Sequence, residues 1–161
     1  DFAASSNDAE VICGGECDDK VGYFVRPTII EAKTPQFKTM TEEIFGPVLS
    51  IYVYEDEKFE ETLKICEQTG AYALTGAIFA KDRQILNQMT EALTHAAGNF
   101  YVNDKPTGAV VGQQPFGGAR ASGTNDKSGS SINLLRWVSY QTIKENFLPI
   151  TDHTYPHMTE S

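Results

Sequence analysis

The chain has 161 residues, 40% apolar and 22% charged, with 22 acidic against 13 basic side chains and a formal charge of −9. This is a globular composition for one domain and hardly two, and it excludes wholesale disorder. The negative field repels nucleic-acid phosphates and anionic lipid headgroups, and no apolar run approaches the ~20 residues of a membrane helix, so neither nucleic acid nor membrane is an expected partner.

The first residues, Asp1-Phe2-Ala3-Ala4-Ser5-Ser6, lack the basic start and apolar core of a signal peptide, and they do not resemble a transit peptide. A start at Asp rather than Met points to a piece of a longer protein. Ala9 to Cys13 alternates weakly and ends in Gly14-Gly15, which predicts a short strand and a turn. Tyr23–Val25 and Thr28–Glu31 flank Pro27 and read as extended edge structure. Pro47 to Tyr54 is β-branched and aromatic, and it predicts a buried strand. Phe59, Thr62, Leu63 and Cys66 follow at helical spacing, with Asp56 as the expected N-cap.

Leu74 to Ala80 predicts a second apolar strand. Ile85, Leu86, Met89, Leu93 and Ala96 mark one face of a second long helix, with Asp82 as cap and Gly98 as stop. Asn99 to Asn103 is a third strand. Strand, helix, strand, helix, strand implies an α/β fold whose sheet is largely parallel and flanked by helices. From Gly112 to Ser131 the chain turns Gly-rich and polar, a length of loop that is usually functional or disordered. Ile132 to Trp137 allows a helical turn or two. Val138 to Phe147 reads as an extended strand with no evident partner, suited to pairing with another subunit. Thr151 to Ser161 is a polar tail. The expected division is 1–131 for the catalytic and cofactor-binding region and 132–161 for the tail with its oligomerisation strand.

Three cysteines, Cys13, Cys17 and Cys66, are an odd and sparse set, better read as reduced intracellular thiols than as a disulfide framework. Cys13 and Cys17 lack a second ligand pair, and His95, His153 and His157 are dispersed, so no metal site is expected. Neither G-x-S-x-G nor a P-loop occurs. Thr39-x-x-Glu42 fits a capping box. Glu42 and Glu43 read as caps or solvated charges, or one of them accepts a ligand's hydroxyl pair, since a carboxylate offers two oxygens to two donors. Phe45-Gly46-Pro47 predicts a turn beside an aromatic ring. Gly117-Gly118 lets backbone approach a ligand or another segment closely. The small residues Thr107-Gly108-Ala109 leave amides free for an anion nest, for which a carboxylate is a natural guest.

In this order the motifs resemble the aldehyde dehydrogenase superfamily. Glu42-Glu43-Ile44-Phe45-Gly46-Pro47-Val48 matches its E-E-I-F-G-P-V segment, and Pro115-Phe116-Gly117-Gly118-Ala119-Arg120-Ala121-Ser122-Gly123 its P-F-G-G-x-x-x-S-G loop. Gly98 to Lys105, Thr107 to Phe116, Thr124 to Lys127 and Arg136-Trp137 resemble more closely the branch that oxidises L-glutamate γ-semialdehyde, formed from Δ1-pyrroline-5-carboxylate, to L-glutamate with NAD in proline catabolism. The resemblance covers nearly everything from Ala9 to Lys144.

It implies the C-terminal part of the catalytic domain, an extended oligomerisation tail, and NAD as cofactor. It assigns cofactor binding to Glu43, on the nicotinamide ribose, and Phe45, by the nicotinamide ring. It assigns substrate binding to the amides of Gly108 and Ala109, on the α-carboxylate, and to the Phe116 ring, on the aliphatic chain. Some relatives have Ser where Ala109 stands, which adds a hydroxyl donor. The superfamily's nucleophilic cysteine, general-base glutamate, oxyanion-stabilising asparagine and Gly-containing NAD segment lie upstream, and none of the three cysteines stands in the nucleophile's motif. No catalytic residue is therefore expected here, and the chain alone is expected to be inactive. The expected partners are the small-molecule substrate, the upstream part of the same enzyme, and a second copy in a homodimer or higher homo-oligomer. The compartment implied is the mitochondrial matrix in a eukaryote or the cytoplasm in a bacterium. Two other readings stay open: a non-catalytic assembly module, and a superfamily enzyme for another aldehyde.

Overall fold

The computed structural model describes residues 1–106, 110 and 112–158. Two small sheets, each with its own apolar cluster, organise the chain.

The first sheet contains β1 (Ala9–Cys13), β4 (Thr28–Ala32) and β5 (Val48–Tyr52) in the order β1-β4-β5. β1 runs antiparallel to β4 with an irregularity between Val11 and Cys13, while β4 and β5 are parallel from Thr28 opposite Val48 to Ala32 opposite Tyr52. A hairpin of β2 (Cys17–Asp18) and β3 (Phe24–Val25) lies between β1 and β4 in sequence. The expected edge segment Thr28–Glu31 is instead the central strand. Pro27 stands just outside it, so every ladder N–H from Thr28 onward is available to pair on both sides. The core of this sheet is Ala3, Ala9, Ile30, Ala32 and Phe37, with Phe2 stacked on Phe37 at 5.4 Å between ring centroids.

β5 falls where the apolar run predicts it, but it is not buried. Its even positions, Val48, Ser50 and Tyr52, are partly covered, whereas Leu49 and Ile51 on the other face are exposed. The alternation follows from the period of two.

The second sheet pairs β7 (Thr75–Ile78) with β8 (Asn99–Val102) in parallel, joined through α3 (Arg83–Ala92). With α2 (Phe59–Gln68), these elements bury Leu63, Ile78, Leu86 and Leu93 in one cluster, flanked by Phe59, Met89 and Phe100. Asp82 caps α3 as expected, its carboxylate accepting from the Gln84 and Ile85 amides at 2.6 and 3.4 Å. Asp56 does not cap α2; it opens a 3-10 turn, Asp56–Lys58, that leads into the helix. α3 ends at Ala92, well before Gly98, so Gly98 has another task.

The parallel character expected of the sheet thus appears in two pairs, β4–β5 and β7–β8, in separate sheets. β6 (Tyr72–Ala73) pairs antiparallel with β9 (Ala119–Arg120), drawing the Gly-rich loop against the second sheet. A 3-10 segment at Ser131–Trp137 follows. Val138–Phe147 makes no strand pairing among the described residues, and Ile143 and Phe147 are exposed. No helix among the described residues is long and apolar enough to cross a membrane.

Candidate functional site

The Glu43–Phe45 segment joins α1 (Lys38–Thr41) to β5. The predicted capping box does not form: Thr39 lies inside α1, accepting from the Ser50 hydroxyl at 2.8 Å, and Glu42 follows the helix as its C-cap, its amide donating to the Lys38 carbonyl at 2.9 Å. The helix starts too early for the motif: Phe37 stands at its N-cap, and Glu42 lies beyond its last residue. Phe45, not Gly46, takes the left-handed conformation, at φ 52°. A bulky residue there is strained, and such strain concentrates at ligand sites. Phe45 is 94% exposed. Glu43 is also exposed and makes no hydrogen bond or ion pair among the described residues. The turn therefore presents an exposed carboxylate without a partner among the described residues and an exposed aromatic ring. That chemistry fits a diol and a planar heteroaromatic ring, as in a nicotinamide nucleotide.

Phe116 is half-buried and belongs to the loop after β8. Its backbone forms a two-way bridge with Ser128, its N–H donating at 2.9 Å and its carbonyl accepting at 2.8 Å. The buried Asn99 brackets it: Nδ2 donates to the Pro115 carbonyl at 3.0 Å, and Oδ1 accepts from the Gly117 amide at 3.0 Å. Lys127 Nζ donates to the Gly98 carbonyl, to the Gly117 carbonyl at 2.9 Å and to Asn99 Oδ1 at 3.4 Å. Desolvation at this position holds the Lys127 pKa below the usual lysine range. On the same face of β8, the Tyr101 hydroxyl accepts from Gln114 Nε2 at 3.4 Å.

The glycines serve this packing. A Cβ on Gly118 would lie 2.5 Å from Ser122 Cβ, and one on Gly117 3.0 Å from the Lys127 amide. Of the two expectations for Gly117-Gly118, the close approach is to another segment of the chain.

Gly108 and Ala109 lie outside the described residues. No hydrogen bond joins the Glu43–Phe45 turn to Phe116 among the described residues; the turn is attached to the first sheet and Phe116 to the second.

Sequence reasoning missed Asn99, Asn103, Arg120 and Lys127. A signal existed for the first two, because a polar residue at either end of the apolar run Phe100-Tyr101-Val102 needs a partner. Asn103 finds it across the sheet: Oδ1 accepts from the Ala80 amide at 2.9 Å and Nδ2 donates to the Ala80 carbonyl at 2.8 Å. Arg120 reaches the C-terminal end of α2, donating to the Glu67 and Gly70 carbonyls at 2.7 and 3.3 Å and pairing with the Glu67 carboxylate. Cys66 is solvent-accessible as a residue, yet partial burial of its thiol pushes the pKa up, the opposite of what a nucleophile needs.

Residues 3–143 match the model of the aldehyde dehydrogenase family. The chain belongs to that family. Among curated relatives, this family member is 66% identical over 160 residues to the mitochondrial delta-1-pyrroline-5-carboxylate dehydrogenase of Dictyostelium discoideum, covering 99% of this chain and 29% of that protein. It is 56% identical over 158 residues to the human protein of that name, covering 98% and 28%. Among solved structures, the delta-pyrroline-5-carboxylate dehydrogenase of Mycobacterium tuberculosis matches with a TM-score of 0.81 and 54% identity, covering 98% of this chain and 29% of that one. The same enzyme bound with NAD matches at 0.79, also 54% identical, over 98% of this chain and 28% of that one. The chain thus spans less than a third of the length of the relatives it matches.

Proposed function

We propose that this chain is the C-terminal part of an NAD-dependent dehydrogenase that oxidises L-glutamate γ-semialdehyde to L-glutamate in proline catabolism. The observation that carries the reading is the 66% identity across nearly the whole chain to a relative of that name, in a family whose two signature segments stand intact at Glu42–Val48 and Pro115–Gly123.

In this reading Glu43 accepts the two hydroxyls of the nicotinamide ribose, and Phe45 lies beside the nicotinamide. The exposed carboxylate, and the exposed ring carried on a left-handed backbone, fit those roles. Bound NAD supplies the hydride acceptor. The amides of Gly108 and Ala109 hold the substrate's α-carboxylate, and Phe116 packs on its aliphatic chain. Holding two reactants in register converts an encounter into an intramolecular step, and that is this segment's contribution. The nucleophilic thiol that attacks the aldehyde, and the base that activates water against the resulting thioester, come from the upstream part of the enzyme. None of Cys13, Cys17 and Cys66 is assigned a catalytic role, and the segment alone is inactive. The Val138–Phe147 segment, which makes no strand pairing among the described residues, serves homo-oligomer formation, and residues 132–161 form a tail distinct from 1–131. In a eukaryote the enzyme works in the mitochondrion, as the names of the relatives indicate for them.

The test is a comparison of aldehydes on the full-length enzyme. Glutamate semialdehyde should exceed simple aliphatic aldehydes in kcat/KM by about ten-thousandfold, the scale expected when a site built to hold a polar group meets a substrate lacking it. Equal values for both would overturn the substrate assignment and leave the family.

A further inference from the structure

We propose that Asn99 and Lys127 are positioning residues that set where the Phe116 ring stands, and through it the enzyme's affinity for its aldehyde substrate. The inference rests on the reading above that Phe116 packs on the substrate's chain.

Phe116 sits in a loop from Gly112 to Ser131 that has no long helix or strand to define it. A ring on such a loop is a poor template unless something else fixes the peptide that carries it. Asn99 does so from a regular element. It opens β8, whose backbone is held parallel to β7 from Thr75 opposite Asn99. Its carboxamide is buried, and it takes hold of the peptide groups on both sides of Phe116, Pro115 by its carbonyl and Gly117 by its amide. One planar group with a donor and an acceptor in fixed relation thereby sets the direction of the intervening residue.

Lys127 closes the arrangement from the far side of the loop. Its ammonium has three donors and three acceptors within reach: the carbonyls of Gly98 and Gly117, and Asn99 Oδ1. It joins the start of β8 to the residue that follows Phe116. The residue itself adopts φ 57°, in the left-handed region. The Ser128 bridge, one residue further on, ties the Phe116 backbone to the same strand of loop. No ligand group is needed to satisfy any of these atoms, which marks the set as support for the ring and not as a binding site.

The experiment is steady-state kinetics on the full-length enzyme with five variants: Phe116→Ala, Asn99→Ala, Asn99→Asp, the double variant of Phe116→Ala with Asn99→Ala, and Lys127→Met. Phe116→Ala and Asn99→Ala should each raise KM for glutamate semialdehyde by about tenfold, with KM for NAD changed less than about twofold. In the Phe116→Ala background, Asn99→Ala should add nothing, because its effect passes through the ring. Asn99→Asp keeps the acceptor for Gly117 and should recover part of the loss. If Asn99→Ala does not fold, Lys127→Met and Asn99→Asp carry the same comparison. Multiplicative effects in the double variant, or equal rises in both KM values, overturn the proposal. If Phe116→Ala leaves the aldehyde KM unchanged, the substrate role of Phe116 falls, and the proposal with it.

Discussion

Gly98 and Gly117 meet backbone to backbone: a Cβ built on Gly98 would stand 2.2 Å from the Gly117 carbonyl oxygen and 2.8 Å from the Gly118 Cα. The sequence suggests Gly98 as the stop of a helix, but the helix ends earlier, and the residue's work is this approach. Gly98→Ala has no room without moving the loop, and overpacking of this kind costs about 2–3 kcal/mol. Thermal melting of the full-length protein checks it: a clear drop in Tm is expected, and an unchanged Tm contradicts the packing.

Arg120 holds the same loop to α2. Its guanidinium spans two carbonyls at the helix end and the Glu67 carboxylate, favourable also because the helix dipole is negative there. Arg120→Ala should lower stability by about 1–2 kcal/mol. Arg120→Lys should restore only a minor part, since one ammonium cannot match a fork that reaches three acceptors. Urea denaturation midpoints of the three proteins decide it; full recovery by Lys contradicts the bidentate geometry.

Local features were readable from the sequence and non-local ones were not. Asp82 caps α3 because its partners lie two and three residues away, within reach of sequence reasoning. Thr28–Glu31 reads as an edge in the sequence, yet it lies in a central strand because its two neighbours, β1 and β5, come from opposite directions along the chain. Asp56 looks like a cap, but the chain inserts a 3-10 turn before α2, a choice that spacing does not reveal. The motif residues Glu43, Phe45 and Phe116 were legible as types. The support around Phe116 was not, since Asn99, Lys127 and Ser128 come together only after the loop folds back.

Asp82→Ala removes the side-chain cap of α3. The two amides of the first turn lose their acceptor, and loss of an N-cap costs about 1 kcal/mol. Asp82→Asn should be nearly neutral, since it keeps an acceptor oxygen. The comparison is again one of unfolding midpoints, and equal loss in both variants would implicate charge in place of capping.

Asp126 gives a pH signature. The Thr124 hydroxyl and then the Arg136 guanidinium, 2.7 Å away, hold its carboxyl below the ordinary value of 3.8. A depressed carboxyl pKa contributes stability above its unfolded value, and that contribution is lost as pH falls through the folded one. The ion pair between Arg136 and Asp126 should therefore persist to pH values below 3.8 and dissolve in stronger acid. An NMR titration of the Asp126 carboxyl should show a midpoint below that value, moving back up in Arg136→Gln. A midpoint insensitive to that substitution contradicts the pairing.

Calorimetric titration of NAD into the full-length enzyme tests most directly the proposed contact between Glu43 and the ribose of NAD. Glu43→Ala should weaken NAD binding by about tenfold, some 1.4 kcal/mol, with glutamate binding to the same protein unchanged. An NAD dissociation constant identical to that of the unaltered enzyme would contradict the account.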